Sequence, residues 1–505
     1  VHIVTAKEMY EMDQYAIKHG GIDGKILMES AGRAVSSKVE ALIERSSRIL
    51  ILIGSGNNGG DGFVIARTLM NQGFSVTTCQ LVADCKIKGD ASYHKQVFEN
   101  YGGAVQLVEN AEELLPFLDR ADIVVDAILG IGFSGQLRGS FVDIIQLVNE
   151  SQPYVISVDI PSGVPADEGN DLQVGIKANY TVIIEAPKMS AFIEKFAPFY
   201  GKWEVVKIGL PKAAFKLGCT RMIWTDSERS ETLPKRETYS HKGNHGKGLI
   251  IGGCLEMPGS VAMTAKAALR SGAGLITIGT VPEAIPSISS YCREATYRSL
   301  TSESGFIVGD PMINFQSYGG IAIGMGMGRN ALTATFTRKV VTEAAIPVLI
   351  DADGLYHVKK DLDILLRRDH PTILTPHPGE MAMLVDKSIQ DVLLRPFSLA
   401  KQFASKYRVY LVLKGKHTIV TDPFGNQWVN PTGNAGLAKG GSGDVLSGIL
   451  LTMLMQSESV QKALSNGCFL HGKSADELIS SKHAKQDLLA TDVIDGLAAV
   501  FRTIS

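Results

Sequence analysis

Cysteine is sparse in this chain of 505 residues, and the six present (Cys79, Cys85, Cys219, Cys254, Cys292, Cys468) form no CxxC pair and have no histidine at zinc-finger spacing. That excludes a disulfide framework and a structural zinc, and points to a reducing compartment. Charge of one sign is also missing: 50 Lys and Arg against 52 Asp and Glu leave a net charge of −2, so gross charge does not drive nucleic-acid binding. No uncharged apolar run reaches the roughly 18 residues of a membrane span. The opening VHIVTAKEMYEMDQ is acidic by position 8 and lacks the basic start and apolar core of a secretory signal. The cytoplasm is therefore the expected location. There is no internal repeat and no low-complexity tract. The hydrophobic share of 45% and charged share of 20% are those of an ordinary globular protein.

Glycine, by contrast, is abundant: 52 residues, about 10% against a usual ~7%, without a collagen period. These glycines sit where apolar runs end. RILILIG (48–54) is a short β-branched run, and DGFVIARTLMNQG (61–73) has helical spacing. SVTTCQLV (75–82), ADIVVDAILG (121–130), YVISVDIPSG (154–163) and TVIIEAP (181–187) read as further buried strands, with helices expected over 90–100 and 141–150. A second series starts near 245 with KGLIIGG (247–253), a helix over 262–272 and LITIGT (275–280), and continues to the end. Buried strands alternating with helices predict an α/β fold of two doubly wound domains, with ligands at the carboxyl ends of the strands. The charged, aperiodic stretch 210–240 marks the boundary, giving domains over 1–215 and 225–505.

GSGNNGGDGF (54–63) places five glycines between a strand and a helix, where backbone amides can face an anion. It is neither a Rossmann GxGxxG nor a P-loop, since no GK[ST] follows. A glycine turn needed only for close packing is the competing reading. Asn57, Asn58 and Asp61 argue against it, because they bring oxygens and donors suited to a cation or a sugar. Two further strand ends carry carboxylates, Asp126 before a glycine-rich loop and Asp159 followed by Ser162; each could instead cap a following helix.

In order and spacing these loops resemble the NAD(P)HX epimerase domain, a family marked by a GNNGGDG loop, a strand ending in DA before a GxG loop, and a VDxPSG turn. The likeness covers about 1–215 and implies a Rossmann-like three-layer sandwich; Ser55 stands where the family more often has Pro. It implies that Asn58, Asp126 and Ser162 hold K+. Asn57, Asn58, Gly59, Gly60 and Asp61, the loop Gly130, Ile131, Gly132, Phe133, Ser134, Gly135 and Gln136, and Asp159 would contact the substrate, with Lys188 a further contact.

In the second half, NPTGNAGLAKGGSGDVLSGILL (430–451) places GGSGD at the start of an apolar helix. Amides of 441–443 can form an anion hole at the helix's positive end. Asp444 then serves either as acid or base or as the helix cap, and the segment leaves both readings open. GxGD before a late helix is similar to ribokinase-like enzymes. Together with HKGNHGKGLIIGG (241–253), PGSVAMTAKAALRSGAG (258–274), IDADGL (350–355), LTPHPGEM (374–381) and LKGKHTIVTD (413–422), the region 240–500 resembles the ADP/ATP-dependent NAD(P)HX dehydratase family. One departure is Met325, where the family usually carries Pro. The resemblance implies substrate contacts at Gly326, His377 and Asp444, with Asp444 catalytic, and a nucleotide site of Lys414, Gly415, Lys416, His417, Thr418 and Gly443.

Taken together, the two resemblances imply a bifunctional repair enzyme. Its first half would epimerise the R and S hydrates NADHX and NADPHX with Asp159 handling a proton. Its second half would dehydrate the S form using ADP, giving AMP and phosphate, or ATP, with Mg2+. A homo-oligomer is implied, and neither nucleic acid nor membrane is expected as a partner. The alternative is a ribokinase-like kinase of small alcohols or vitamin precursors with a non-catalytic N-terminal ligand-binding domain.

Overall fold

The computed structural model describes residues 1–133, 135–137, 139–216, 218–309 and 313–504. The chain divides into two compact units, His2–Cys219 and Thr220 onward, with Val1 joining the second. No helix among the described residues is long and apolar enough to cross a membrane.

In the first unit the strands are β1 (Arg48–Ile53), β2 (Ser75–Gln80), β3 (Val105–Leu107), β4 (Ile123–Ala127), β5 (Tyr154–Val158), β6 (Tyr180–Ile184) and β7 (Lys202–Val206). All pair in parallel, in the order β3-β2-β1-β4-β5-β6-β7. The run RILILI is apolar at successive positions because both faces of β1 are covered. Ile49, Ile51 and Ile53 pack with Val35, Phe63, Ile65 and Leu69 of helices Gly24–Leu42 and Asn57–Asn71. Leu50 and Leu52 pack on the opposite face with Leu114, Leu118, Ile144, Ile145 and Val148 of helices Ala111–Leu118 and Phe141–Ser151. Such two-sided burial is what a parallel sheet between helical layers requires. The strand order reverses at β1 and β4, and a ligand crevice belongs outside their carboxyl ends.

The helix after β1 begins at Asn57, four residues earlier than the apolar spacing predicts. GNNGGDG is therefore largely the first turns of a helix, and its glycines are dictated partly by packing. A Cβ on Gly59 would lie 2.1 Å from the Gly54 carbonyl oxygen, one on Gly60 2.4 Å from Met28 Sδ, and one on Gly62 2.9 Å from Ala127 Cβ. Gly54 is tighter still, its Cβ falling 1.8 Å from the Ile128 carbonyl oxygen. Only Gly56 of this stretch, the helix N-cap, has open space around it. Gly54→Ala must push β1 from the segment after β4, and overpacking of a rigid core typically costs ~1–3 kcal/mol. We expect a loss of at least about 2 kcal/mol from the N-terminal transition in denaturant titration, with the C-terminal transition unmoved.

The second unit holds β8 (Arg221–Ile223), β9 (Lys247–Ile251), β10 (Leu275–Thr280), β11 (Thr296–Ser299), a hairpin of β12 (Thr301–Glu303) and β13 (Phe306–Gly309), β14 (Gly320–Ile323), β15 (Val348–Ile350), β16 (Thr372–Leu374), β17 (Tyr410–Leu413), β18 (Ile419–Thr421) and β19 (Gln427–Val429). Its ten-stranded sheet runs β11-β10-β9-β14-β15-β16-β17-β18-β19-β8. It is parallel from β11 to β17, with β17, β18 and β19 antiparallel. The stretch 210–240, which looks like a plain linker by composition, contributes strand β8 beside β19 and the helix Asp226–Thr232. Helix Ser442–Gln456 is buried along most of its length. It crosses helix Pro258–Arg270 so closely that a Cβ on Gly448 would lie 2.1 Å from the Thr264 carbonyl oxygen.

Candidate active sites

In the N-terminal unit the chemistry gathers at the carboxyl ends of β1, β4, β5 and β6. Asp126, near the end of β4, is fully buried. Its Oδ2 accepts from Ser157 Oγ at 2.7 Å and the Ser162 amide at 2.9 Å; its Oδ1 accepts from Ser162 Oγ and from the Ile128 amide at 3.3 Å. Burial raises its pKa above the usual carboxylate range, and the serine and amide donors oppose the shift. None of these partners is a cation. Asn58 donates from Nδ2 to the Leu129 carbonyl at 2.9 Å, and Ser162 Oγ accepts from the Leu129 amide at 2.8 Å. Asn58 and Ser162 thus hold Leu129 by its carbonyl and its amide, and Asp126 joins them through Ser162. The helix-cap reading of Asp126 is not what the structure shows.

Asp159 follows β5 and Glu185 follows β6, and both have left-handed backbone, φ 66° and 62°. In each case the next amide returns to the carbonyl two residues back: Ile160 to Val158 at 2.8 Å and Ala186 to Ile184 at 2.7 Å. Non-glycine residues in such turns are strained, and strain of this kind gathers at functional sites. Asp159 Oδ1 accepts from the Ile184 amide at 3.0 Å and is ion-paired with the fully buried Lys188. The Asp159 carboxylate is thereby tied to β6 and to a buried ammonium, so here too the cap reading fails. Glu185 is occupied by the Ile208 amide at 2.9 Å and Lys207 at 3.2 Å.

Two other carboxyls share this environment. Asp61, buried, is pushed well above the usual carboxylate range by burial and by the charges of Asp159 and Asp13, with Lys188 opposing. Asp13 is raised to about 7, chiefly by burial, with Lys188 lowering it and Asp159 and Glu185 raising it. Asp13 escaped the sequence reading. It lies on helix Ala6–Lys18, whose buried residues are Met9, Met12 and Ala16. The chain brings it to the site by pairing Val4 with Lys188, the Val4 amide to the Pro187 carbonyl at 3.0 Å and the Met189 amide to the Val4 carbonyl at 3.1 Å. A carboxyl that holds its proton near neutrality beside an ion-paired one supplies both an acid and a base.

The expected substrate loop starts at Gly130, where a Cβ would lie 3.2 Å from Asn58 Cβ, and the Phe133 amide closes a turn onto the Gly130 carbonyl at 3.0 Å. Gly132, Gly135 and Gln136 are exposed, and Ile131 and Phe133 pack partly into the core. Ser134 lies outside the described residues. Asn57 is exposed at the helix start, and Gly59 and Gly60 are buried.

In the C-terminal unit the strand ends again carry the site. Gly441, at φ 91°, is the N-cap of helix Ser442–Gln456, and no side chain caps that end. Asp444 lies in the first turn of this helix and accepts a hydrogen bond from Ser260. Its pKa is raised to about 6, by burial first and then by the Asp351 charge, against Ser260 and Lys414. Lys414, just after β17, reaches Asp351 Oδ1 at 2.8 Å and Glu380 Oε2 at 3.7 Å. A Cβ on Gly443 would stand 3.4 Å from Lys414 Nζ, so Gly443 leaves the space in front of that ammonium open. Gly415 and Thr418 close the β17–β18 turn through Thr418 Oγ1, and Lys416 donates to the Gly433 carbonyl at 2.7 Å. His417 lies in the same turn.

Gly326 has φ 60°, and a Cβ there would meet the Met257 carbonyl oxygen at 2.8 Å and Ser260 Cβ at 3.0 Å. It thus abuts the residue that hydrogen-bonds Asp444. Met325, in the place of the family's Pro, is fully buried, and its carbonyl accepts from the Gly253 amide at 2.8 Å, so the loop is anchored without proline. His377 proves to be a helix cap: its Nδ1 accepts from the Gly379 and Glu380 amides at 3.0 and 3.3 Å. The Glu380 carboxylate accepts from the His377 amide at 2.8 Å, completing a capping box, while the side chain stays 57% exposed and open to a ligand. Asp351, Glu380, Ser260 and Ser447 are site residues whose roles the motifs did not reveal.

The two centres define a two-domain α/β enzyme, one domain Rossmann-like and the other ribokinase-like. Comparison with known proteins bears this out. Residues 248–498 match the family model of NAD(P)H-hydrate dehydratase, and 24–190 that of the YjeF-related protein N-terminus. The bifunctional NAD(P)H-hydrate repair enzyme of Moorella thermoacetica is 34% identical over 520 residues, spanning 100% of this chain and 97% of that relative. The enzyme of the same name from Coxiella burnetii is 33% identical, spanning 97% of each chain. The crystal structure of the ADP/ATP-dependent NAD(P)H-hydrate dehydratase from Bacillus subtilis, co-crystallized with ATP and Mg2+, covers 56% of this chain and 98% of that one, at 34% identity and a TM-score of 0.50. The chain belongs to the family of bifunctional NAD(P)H-hydrate repair enzymes.

Proposed function

We propose that this protein restores hydrated nicotinamide cofactors, its N-terminal unit interconverting R and S NAD(P)HX and its C-terminal unit dehydrating the S form at the expense of ADP or ATP, ADP being preferred. The observation that carries this reading is the presence in one chain of two separate acid–base centres, each at the strand ends of its own doubly wound sheet. Hydroxide is a poor leaving group, so dehydration needs activation. Asp444 takes the proton of the ring hydroxyl as its oxygen attacks the terminal phosphorus, and the bond to the departing nucleotide breaks. Phosphate then leaves with the C–O electron pair, and loss of a ring proton restores the double bond. Amides at the start of helix Ser442–Gln456 and the Lys414 ammonium hold the moving phosphoryl group. His377 and Gly326 line the nicotinamide side, and Lys414, Gly415, Lys416, His417, Thr418 and Gly443 the adenine nucleotide.

Among the described residues no three His, Cys, Asp or Glu side chains gather as a metal cage. That fits Mg2+, which is generally held by substrate phosphates, water and at most one or two carboxylates, and which would neutralise phosphate charge. In the N-terminal unit the oxygens of Asn58, Asp126 and Ser162 suit K+. Asp126 is a buried carboxylate whose donors are all neutral, and a monovalent cation would balance it and order the loops around Leu129. Asp159 would handle the proton of epimerisation, with Asn57, Asn58, Gly59, Gly60, Asp61 and the loop 130–136 around the substrate.

The test follows recovery of NADH absorbance from a prepared R and S NADHX mixture with Mg2+ and ADP or ATP. Complete recovery is expected. Recovery of the S share alone would remove the epimerase, and no recovery with either nucleotide would return the second half to a kinase of small alcohols.

A further inference from the structure

Asp351 follows β15 directly and is 1% exposed. Its Oδ1 accepts from Lys414 Nζ at 2.8 Å and from the Ala352 amide at 2.9 Å, while its Oδ2 accepts from Ser447 Oγ at 2.7 Å. Three elements meet at this one side chain: the end of β15, the turn after β17, and the second turn of the helix that bears Asp444. The following residue, Ala352, has φ 49° and ψ −124°, a conformation that favours glycine, and it opens helix Asp353–Lys359. The backbone is thus held in a costly shape where it delivers this carboxylate. A Cβ on Gly443 would lie 3.8 Å from Asp351 Oδ2 and 3.4 Å from Lys414 Nζ, so the ion pair forms the wall of the space beside Gly443.

We propose that Asp351 is a positioning residue of the phosphoryl-transfer site, its carboxylate clamping Lys414 with one oxygen and Ser447 with the other and so holding the ammonium in register with Asp444. This rests on the dehydratase reading above. A lysine on a flexible stem loses rotamer entropy when it is fixed, and a lysine facing Glu380 and Asp444 as well as Asp351 has more than one place to go. The clamp selects one of them before substrate arrives, which is the preorganisation that transition-state stabilisation needs. Ser447 lies three residues after Asp444 on the same helix, so its bond to Oδ2 fixes the rotation of that helix about the ion pair.

Charge follows from the same geometry. Lys414 and the Ser447 and Thr375 hydroxyls keep Asp351 below the usual carboxylate range despite burial, so its negative charge persists next to Asp444. The groups facing Asp444 are Asp351, Lys414, Asp353 and the Ser260 hydroxyl. Of these Asp351 contributes the largest upward push after burial. Removing its charge lets Asp444 ionise at lower pH.

The test is Asp351→Asn in the full chain, assayed on S-NADHX with ATP and ADP in parallel across pH. We expect kcat to fall about 10- to 100-fold, as when the partner that orients an active group is lost, with KM for S-NADHX nearly unchanged. The acid limb of the kcat profile should move down by about one pH unit. Wild-type kcat, or a fall in kcat with the acid limb unmoved, overturns the proposal, because a general loss of folded protein lowers the amplitude alone. If Asp351→Asn does not accumulate as folded protein, Ser447→Ala removes one anchor without stranding a charge. Its kcat should drop about tenfold, and a wild-type value overturns the proposal. Inactivity of the unmodified chain with both nucleotides would instead be a failure of the dehydratase reading.

Discussion

Asp444→Asn is expected to abolish nucleotide-dependent dehydration almost entirely, lowering kcat on S-NADHX by about 10³-fold, within the range a positioned general base contributes. Asparagine has the shape of aspartate and can still accept from Ser260, so the helix start and the glycine turn before it should keep their geometry. What disappears is the group that can take the hydroxyl proton. The pH profile sharpens the test. Burial and the Asp351 charge raise Asp444 to about 6, and a base works only when ionised, so wild-type kcat should fall as pH drops below about 6 and level off above it. The residual rate of Asp444→Asn should lack that limb. Initial rates of NADH formation between about pH 5 and 8 measure both effects, and R to S conversion in the same sample reports on the other domain. Retention of a tenth of the dehydratase activity would be incompatible with the assigned role.

The second large effect is expected at Asp159. Asp159→Asn should slow R to S conversion by about 10²-fold or more while leaving dehydration of pure S-NADHX unchanged. A complication is the ion pair: Lys188 is fully buried, and an unpaired buried charge typically costs about 3–5 kcal/mol, so the single variant carries a stability loss as well. The double variant Asp159→Asn with Lys188→Met separates the two. It replaces a buried ion pair by neutral groups of similar volume, which is often close to neutral for stability, so the N-terminal transition should return toward wild type. Epimerase activity should not return with it. A stable double variant that epimerises at the wild-type rate would show that the carboxylate takes no part in the chemistry.

The fold class was legible because a parallel sheet covered on both faces demands uninterrupted β-branched runs, and RILILI, IVVDA and YVISV are such runs, each ending where the chain must turn. The short β3, β7 and β8 were not legible, since three to five residues at a sheet edge carry little burial pattern. The start of the helix at Asn57 was hidden because glycine is a poor helix former. Its presence there answers to Gly54, Met28 and Ala127, contacts that local propensity does not contain. The double reading of Asp444 as cap or base was likewise open in the sequence. The structure adds the bond from Ser260 and the nearby Asp351 charge, contacts that no local pattern contains.

Order and chemistry along the chain sufficed for the architecture, for the two families of loops and for the carboxylates at strand ends, because those features follow from short-range rules of strand, turn and helix. Which charges face one another did not follow from them. Asp13 and Asp61 come to Lys188 from positions far upstream, through a two-residue bridge and the helix after β1. Asp351 meets Lys414 and Ser447 across 63 and 96 residues, because the ends of β15 and β17, with only β16 between them in the sheet, and the helix Ser442–Gln456 come together in the fold. Burial and neighbouring charge set the protonation of these groups, and both are properties of packed three-dimensional neighbourhoods, so only the folded arrangement determines which carboxyl keeps its proton and which stays charged.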